Sequence, residues 1–143
     1  MSPQEAGAAL SASLKPFNPN ESGADQACWY TQRVDGVSPE VRYMVQDNKI
    51  VRIDITRPQV DSGAPPIATD EGTTIGTPEQ HVIEKYGTRA RVSPHKYLAE
   101  RGHYLEVASP DGKSGIIFET VDGKVTTFRA GTLEAIRLVE GCS

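Results

Sequence analysis

Two short patterns occur twice in the chain at the same spacing. Ser2-Pro3 returns as Thr77-Pro78 at an offset of 75 (77 − 2), and Asp47-Asn48-Lys49 returns as Asp122-Gly123-Lys124 at the same offset (122 − 47). Because two independent patterns share one offset, the sequence predicts two diverged copies of a single unit. We place unit one at about residues 1–57, a linker at about 58–71 and unit two at about 72–143, within a single domain of 143 residues.

Each unit is predicted to begin with a helix. Residues 2–5 (Ser-Pro-Gln-Glu) combine a capping serine, a proline suited to the first turn and the glutamate of a capping box. This first helix is expected to extend to Leu14. Residues 77–80 (Thr-Pro-Glu-Gln) start the second helix in the same way, and Gly87 is a suitable residue to end it.

Most of the remaining chain consists of short β-rich runs separated by turn residues. The predicted strands lie around residues 28–31, 41–45, 50–55, 104–108, 115–120, 125–130 and 135–139. The sequence therefore predicts an α+β fold. It would consist of two tandem helix-plus-antiparallel-hairpin units, an antiparallel sheet with the helices packed on one face, and one disulfide joining the two ends.

The repeated turn pattern marks a hairpin in each unit. A three-residue loop, Gln46-Asp47-Asn48 in unit one, keeps apolar and charged side chains on separate faces, and it places Asn48 or Gly123 at the left-handed position that such loops need. The face toward the core is then predicted to carry Val41, Tyr43, Val51, Ile53, Ile116, Phe118, Thr126 and Phe128.

The opposite face of the hairpins mixes arginine, methionine, isoleucine and carboxylate side chains. This mixture favours a protein-binding surface, although an antiparallel sheet can also simply face water on one side. The predicted partner-binding residues are Arg42, Met44, Arg52, Asp54, Glu119, Thr127 and Arg129, with Ile50, Ile117 and Val125 on the same face. Changing Arg52 to alanine or Arg129 to glutamate is expected to weaken binding without unfolding the protein.

The two cysteines, Cys28 and Cys142, lack the close spacing of a zinc or redox motif. A bond between them would close a loop with a sequence separation of 114 (142 − 28) and would imply an oxidising compartment. The alternative is a pair of buried free thiols. We expect the disulfide, a periplasmic or extracellular location, and a leader that was removed from this chain, with or without a lipid anchor.

Several kinds of function are disfavoured by the composition and motifs. The net charge of −4, with acids and bases interspersed, argues against nucleic-acid binding, and no apolar run is long enough to be a transmembrane segment. The histidine spacing offers no metal site, and we expect no cofactor and no catalytic residue. His95 is interpreted as a hydrogen-bonded structural residue, with an alternative pocket around His95, Lys96 and Tyr97, near Glu119 and Arg129.

The second helix start, Gly76-Thr77-Pro78-Glu79 with Val82-Ile83 and Tyr86-Gly87, resembles a recurrent helix opening of secreted bacterial proteins. It is similar to units in the small lipoprotein of the outer-membrane β-barrel assembly machinery and to the tandem units of the β-lactamase inhibitory protein family. That resemblance implies short helices against an antiparallel sheet, and protein binding by the sheet or its rim. The inhibitor family pairs cysteines within each unit, whereas Cys28 and Cys142 would bridge the ends.

The whole chain also resembles a group of uncharacterised proteobacterial secreted proteins or lipoproteins. The shared motifs are Cys28-Trp29-Tyr30, Tyr43-Met44-Val45, Arg52-Ile53-Asp54, Pro94-His95-Lys96-Tyr97, Phe118-Glu119-Thr120, Arg129-Ala130-Gly131 and Val139-Glu140-Gly141-Cys142. This second resemblance implies a location but no activity.

The leading interpretation is a non-catalytic periplasmic or secreted module that binds another protein, of inhibitor or immunity type, through the outer sheet face or the groove between the units. The first alternative is a small-molecule or cell-wall-glycan binding protein, or an enzyme, with a pocket around His95, Tyr97 and Arg129. The second alternative is a structural component of the cell envelope.

Overall fold

A computed structural model describes residues 1–18, 27–38, 40–57 and 65–142. Within these ranges the chain forms an eight-stranded antiparallel sheet, three short α-helices and a 3-10 turn at Gly87–Arg89. The elements are α1 (Pro3–Leu10), β1 (Leu14–Pro16), β2 (Cys28–Arg33), β3 (Val41–Gln46), β4 (Lys49–Ile55), α2 (Glu79–Tyr86), β5 (Ala90–Pro94), β6 (Gly102–Ala108), β7 (Ser114–Val121), β8 (Lys124–Thr132) and α3 (Leu133–Ile136).

The strand order is symmetric about the centre of the sheet. The order is β1-β2-β3-β4-β8-β7-β6-β5, so a helix followed by four strands occurs twice and the two last strands, β4 and β8, pair with each other. At this junction the β4 backbone passes so close to Gly131 that a Cβ there would collide with the carbonyl oxygen of Val51. Two copies of one unit would produce this order, but duplication itself stays a prediction. Residues 58–64 of the predicted linker lie outside the described ranges.

The two helix starts differ although their sequences are similar. The capping box of α1 is present, because the Ser2 hydroxyl accepts from the Glu5 amide at 3.2 Å and the Glu5 carboxylate accepts from the Ser2 amide at 2.8 Å. α1 ends at Leu10 rather than at the predicted Leu14, because Ser11 adopts a left-handed conformation with φ 51°. α2 has no side-chain cap, because its N-cap position is Pro78, whose side chain has no hydrogen-bond acceptor. The Glu79 carboxylate in the first turn accepts from Thr120 and contacts His103.

Both hairpins have two-residue turns, so the predicted three-residue loops are wrong. Asp47 and Asn48 have φ of 49° and 60°, and Asp122 and Gly123 have φ of 50° and 79°, as type I′ turns require. A β-bulge then shifts the pairing in each hairpin and leaves one residue unpaired, Val51 in β4 and Thr126 in β8. The two bulges are separated by the same offset of 75 (126 − 51) as the repeated patterns.

The bulges explain why the predicted faces largely hold even though the turn length does not. One extra residue restores the alternation of side chains, so Val41, Tyr43, Phe118 and Phe128 lie together in the main core, as predicted. We call this side of the sheet the core face. Two positions predicted for the opposite face are wrong, because Ile50 and Val125 pack in this core. Ile53 lies on the predicted face, paired with Tyr43 across the hairpin, although it is 37% exposed.

The sequence analysis expected the helices to pack on one face of the sheet, and this expectation is wrong. α2 packs on the core face through Val82 and Tyr86, with the Tyr86 and Phe118 ring centroids 5.8 Å apart. α3 lies across the opposite side, where Ile136 packs against Tyr104 and Ile117. We call that side the second face.

The predicted strand at residues 135–139 is wrong. β8 ends at Thr132, whose hydroxyl accepts from the Ala135 amide at 3.3 Å and caps α3. Residues 133–142, which we call the C-terminal segment, then lie over the second face. The predicted disulfide holds the end of this segment, with 5.4 Å between the Cα atoms of Cys28 and Cys142. None of the helices in the described ranges has the length and apolar character needed to span a membrane.

Candidate functional site

The C-terminal segment is held on the second face by two arginines of the central strands. Arg52, which is 4% exposed, donates to the carbonyl oxygens of Ala135 at 3.0 Å and Leu138 at 2.7 Å. Its remaining donors bind the carboxylate of Asp54, at distances from 2.5 to 3.0 Å. The charge on Arg52 is therefore neutralised within the chain, and its hydrogen bonds satisfy the carbonyls at the end of α3.

Arg129 has the same role on the neighbouring strand. It is 3% exposed, donates from Nε to the carbonyl oxygen of Ile136 at 2.6 Å, and pairs through its guanidinium with Glu119. Its guanidinium also lies over the ring of Tyr104, 5.8 Å from the centroid. The second oxygen of Glu119 is 2.9 Å from Nε2 of His95, so one carboxylate connects the arginine to the histidine.

Both ring nitrogens of His95 are occupied by the chain itself. Nδ1 accepts from the backbone amides of Tyr97 at 3.1 Å and Leu98 at 3.3 Å. The neutral ring must then carry its proton on Nε2 and donate it to Glu119. The ring stacks on Tyr104 with centroids 4.8 Å apart. This is the geometry of a hydrogen-bonded structural histidine, and neither nitrogen is free to take a proton from a substrate or to bind a metal.

Lys96 and Tyr97, the other two residues of the predicted alternative pocket, contact the C-terminal segment at the surface. The Lys96 ammonium is 3.1 Å from Glu140, and the Tyr97 hydroxyl donates to the same carboxylate oxygen. These contacts, first the Tyr97 hydrogen bond and then the Lys96 charge, lower the pKa of Glu140. The same carboxylate raises the pKa values of Lys96 and Tyr97.

A second surface ion pair joins the segment to β6. Arg137 donates to the two oxygens of Glu106 at 2.8 and 3.0 Å. The hydrogen bond from Arg137 lowers the pKa of Glu106, and the charge of Arg91 adds to this effect. Together with the disulfide, these contacts hold the C-terminal segment on the sheet along its length.

Acidification is expected to weaken these surface pairs. The pKa values of Glu106 and Glu140 are lowered in the folded chain from an ordinary value of 4.5. The stability that they contribute is therefore present above that value and is lost as the pH falls through the lower, folded pKa values. In urea unfolding, the double variant Glu106→Gln/Glu140→Gln should lose less stability than the wild type between about pH 6 and about pH 3. Equal losses in the two proteins would contradict this assignment.

The second face is therefore not the open surface that the sequence analysis expected. Met44, Arg52 and Arg129 are buried, and Asp54 and Glu119 are occupied by the two arginines. Thr127 pairs with Glu119 across the hairpin, and Arg42 stacks on Phe17 with its guanidinium carbon 3.8 Å from the ring centroid. Because both side chains support the C-terminal segment, we now expect changes at Arg52 or Arg129 to destabilise the fold.

A cleft remains where the C-terminal segment meets the outer strands of unit two. It has a volume of about 250 Å³. Its apolar floor consists of Tyr104, Ile117 and Val139. Its polar lining consists of Arg91, Ser93, Glu106, Arg129 and Arg137. Arg129 is the only residue of the lining that was among the predicted site residues, and neither His95 nor Tyr97 contributes to it.

Sequence reasoning missed this cleft because it depends on two elements that were not predicted. β5 is a short strand, Ala90–Pro94, that carries only one β-branched apolar residue, Val92. The C-terminal segment was expected to be a strand in the sheet, not a cover over it. The available signal was the alternation Arg91-Val92-Ser93 before Pro94, which is typical of an edge strand.

The groove between the two units is apolar and lies on the core face. It has a volume of about 390 Å³ and is bounded by the segment 67–70. Its sheet side is formed by Val41, Tyr43, Ile53, Ile55, Ile116, Phe128 and Ala130. Among the residues that the structure describes, no group of three or more histidine, cysteine or acidic side chains is arranged to hold a metal ion.

Comparison with known proteins gives no family for this chain. No family model matches it, and neither a curated protein nor a solved structure is significantly similar to it. The resemblances to the inhibitor and lipoprotein families therefore stay predictions, and the arguments below depend on the geometry alone.

Proposed function

We propose that this protein is a non-catalytic binding module that recognises an acidic segment of another protein at the cleft. One observation carries the proposal: three arginines line the cleft but only two carboxylates neutralise them. Arg129 pairs with Glu119 and Arg137 pairs with Glu106. Arg91 is exposed and forms no ion pair within the described ranges.

The excess positive charge is placed where a ligand can reach it. Arg91 is exposed to solvent and lines the cleft together with the apolar side chains of Tyr104 and Ile117. A carboxylate that enters the cleft would meet the guanidinium of Arg91, which suits a planar, paired contact. The volume of about 250 Å³ is below the usual range of small-molecule sites, so it supports insertion of a side chain more than binding of a whole cofactor.

The chemistry of the site supports binding over catalysis. A general acid or base must reach the substrate proton, but both nitrogens of His95 are used by Glu119 and backbone amides. Glu119 is itself held by Arg129 and His95. An oxidising compartment belongs to the proposal, because a bond between Cys28 and Cys142 persists there and is reduced in a cytosol.

The test is capture of partners by charge-reversed variants. The oxidised wild type, Arg91→Glu and Lys49→Glu are immobilised and exposed to secreted and cell-envelope protein fractions. Lys49 is an exposed residue at the β3–β4 turn, so its variant makes the same change of charge away from the cleft. We expect a partner to be retained by the wild type and by Lys49→Glu, and to bind Arg91→Glu at least tenfold more weakly.

Two outcomes would overturn the proposal. The first is a set of retained proteins that does not differ between Arg91→Glu and Lys49→Glu. The second is saturation of the cleft by free glutamate or succinate at micromolar concentration, measured as a shift of the Arg91 amide signal in NMR. That second result would assign the cleft to a small carboxylate and would favour the small-molecule alternative of the sequence analysis, at a cleft that shares only Arg129 with the predicted pocket.

A further inference from the structure

We propose that the acidic segment binds as an added strand at the outer edge of β5, with its carboxylate opposite Arg91. This inference rests on the proposed function and specifies the partner: an extended peptide segment that alternates acidic and apolar residues. It follows from the direction of the β5 backbone groups, from the exposure of the strand, and from a row of charges that crosses the sheet.

The hydrogen-bond alternation of the sheet shows which β5 groups face outward. The His95 amide donates to the Gly102 carbonyl at 3.0 Å, and the Asp122 amide donates to the Arg101 carbonyl at 2.8 Å. In an antiparallel ladder, hydrogen-bonded pairs alternate with pairs that do not bond. Both bonds therefore give the same result: Arg91 and Ser93 bond to β6, and the amide and carbonyl of Val92 point away from the sheet.

The outer edge of β5 can accept a short strand and no more. The Ala90 amide is already bound to the carbonyl of Gly87, and Pro94 has no amide. The carbonyls of Ala90 and Pro94 alternate with Val92 along the ladder, so they share its outward direction. Among the groups that the structure describes, Val92 provides the one amide of this edge without a bound partner, and its side chain is 48% exposed on the core-face side. The available ladder thus extends two residues on each side of one donor, so a strand added here would depend on side-chain contacts for its specificity.

A row of paired residues across the second face explains the choice of an acidic partner. The cross-strand pairs run from Arg42 through Asp54 and Arg129 to Ile117, and then through Glu106 to Arg91. Charge alternates along this row wherever a residue is charged, and it ends on the positive side chain of Arg91. A residue opposite Arg91 on an added strand would point to the same face, so an acidic residue there would continue the alternation.

The same pairing defines the neighbouring positions of the partner. Residues that flank the acidic one lie on the core-face side, next to the exposed Val92. An apolar side chain at these positions of the partner would pack against Val92, so that both side chains would be shielded from water. The other edge of the sheet, β1, is only three residues long and ends at Pro16, so it offers a shorter ladder.

The test uses a synthetic peptide of alternating glutamate and valine, capped at both ends, and the full oxidised protein. We expect the peptide to shift the amide signals of Arg91 and Val92 in NMR and to slow exchange of the Val92 amide with solvent. A peptide with lysine in place of glutamate should not bind. Two results with the wild type would overturn strand addition. The first is exchange of the Val92 amide that is equally fast with and without saturating glutamate peptide. The second is the absence of binding at millimolar peptide.

A pair of variants separates the backbone contact from the side chain. Val92→Pro removes the outward amide while the bonds of Arg91 and Ser93 to β6 remain, and Val92→Ala keeps the amide. We expect Val92→Pro to weaken binding at least tenfold and Val92→Ala less than threefold, with the β6–β8 signals unchanged in both. Binding that is lost in Arg91→Glu but kept in Val92→Pro would overturn strand addition and leave the proposed function standing.

Two further outcomes are decisive. Binding that is insensitive to both Arg91→Glu and Val92→Pro would overturn the proposed function as well. A dimer of the free protein that Val92→Pro dissociates would show that the edge is occupied by a second copy of β5, which overturns the acidic segment as its occupant.

Discussion

Replacing Cys28 and Cys142 together by serine is expected to lower the free energy of unfolding by about 4–5 kcal/mol. The bond closes a loop with a sequence separation of 114 residues, so its loss frees nearly the whole sheet in the unfolded chain. The apolar packing of the C-terminal segment is limited to Leu133, Ala135, Ile136 and Val139. Urea unfolding of the oxidised wild type and the double variant, monitored by tryptophan fluorescence of Trp29 beside the bond, measures the difference.

The reduced wild type provides the matched control for this experiment. It should unfold at the same urea concentration as the double serine variant, because both lack only the cross-link. A variant that keeps the midpoint of the oxidised protein would show that the segment is held without the disulfide. In that case the ion pairs of Glu106 and Glu140 and the buried arginines would have to hold the segment alone.

The sequence was sufficient for features that repeat or depend on local chemistry. The offset shared by the two repeated patterns located both hairpins, and the spacing of Cys28 and Cys142 with the absence of a metal motif predicted the disulfide. Side-chain alternation placed Val41, Tyr43, Phe118 and Phe128 in one core correctly. The hairpins and the alternating core face depend on residues whose preference is fixed within a few positions of the chain. The disulfide was predictable for another reason, since the chain has only two cysteines and they lack the spacing of a metal or redox motif.

The turn length shows where local reasoning fails. A two-residue turn without a bulge would mix core and charged residues, and that argument excluded the turn that the structure has. The bulge at Val51 removes the conflict, as does the bulge at Thr126. A bulge has no strong sequence signature at a non-glycine residue, so the correct faces were reached through an incorrect register.

The candidate site could not be predicted because it is made by long-range contacts. Arg52 and Arg129 look like exposed binding residues in a two-sided hairpin, but Arg52 bonds to Ala135 and Leu138, 83 and 86 residues away. Only the path of the C-terminal segment buries them. When residues 135–139 are interpreted as a strand, the mixed composition of this face has no explanation within the chain, and the sequence then favours a binding partner.

Changing Arg129 to methionine should therefore destabilise the fold by about 3–5 kcal/mol, far more than a surface arginine would. Methionine keeps much of the apolar stem but removes the donor to the Ile136 carbonyl and the cation beside Glu119. Glu119 would then be a partly buried carboxylate supported only by His95. Removing one partner of a buried pair leaves the other uncompensated, which costs more than the pair itself contributes.

Arg137→Met is the control, because it removes a second arginine–glutamate pair that lies beside the same cleft. The Arg137 side chain is 53% exposed, and its pair with Glu106 lies at the surface, so its loss should cost no more than about 1 kcal/mol. Urea unfolding of the two variants at neutral pH gives the comparison directly. Equal and small losses would mean that solvent reaches Arg129. The C-terminal segment would then be a loose cover over the second face, and that face would again be a candidate binding surface.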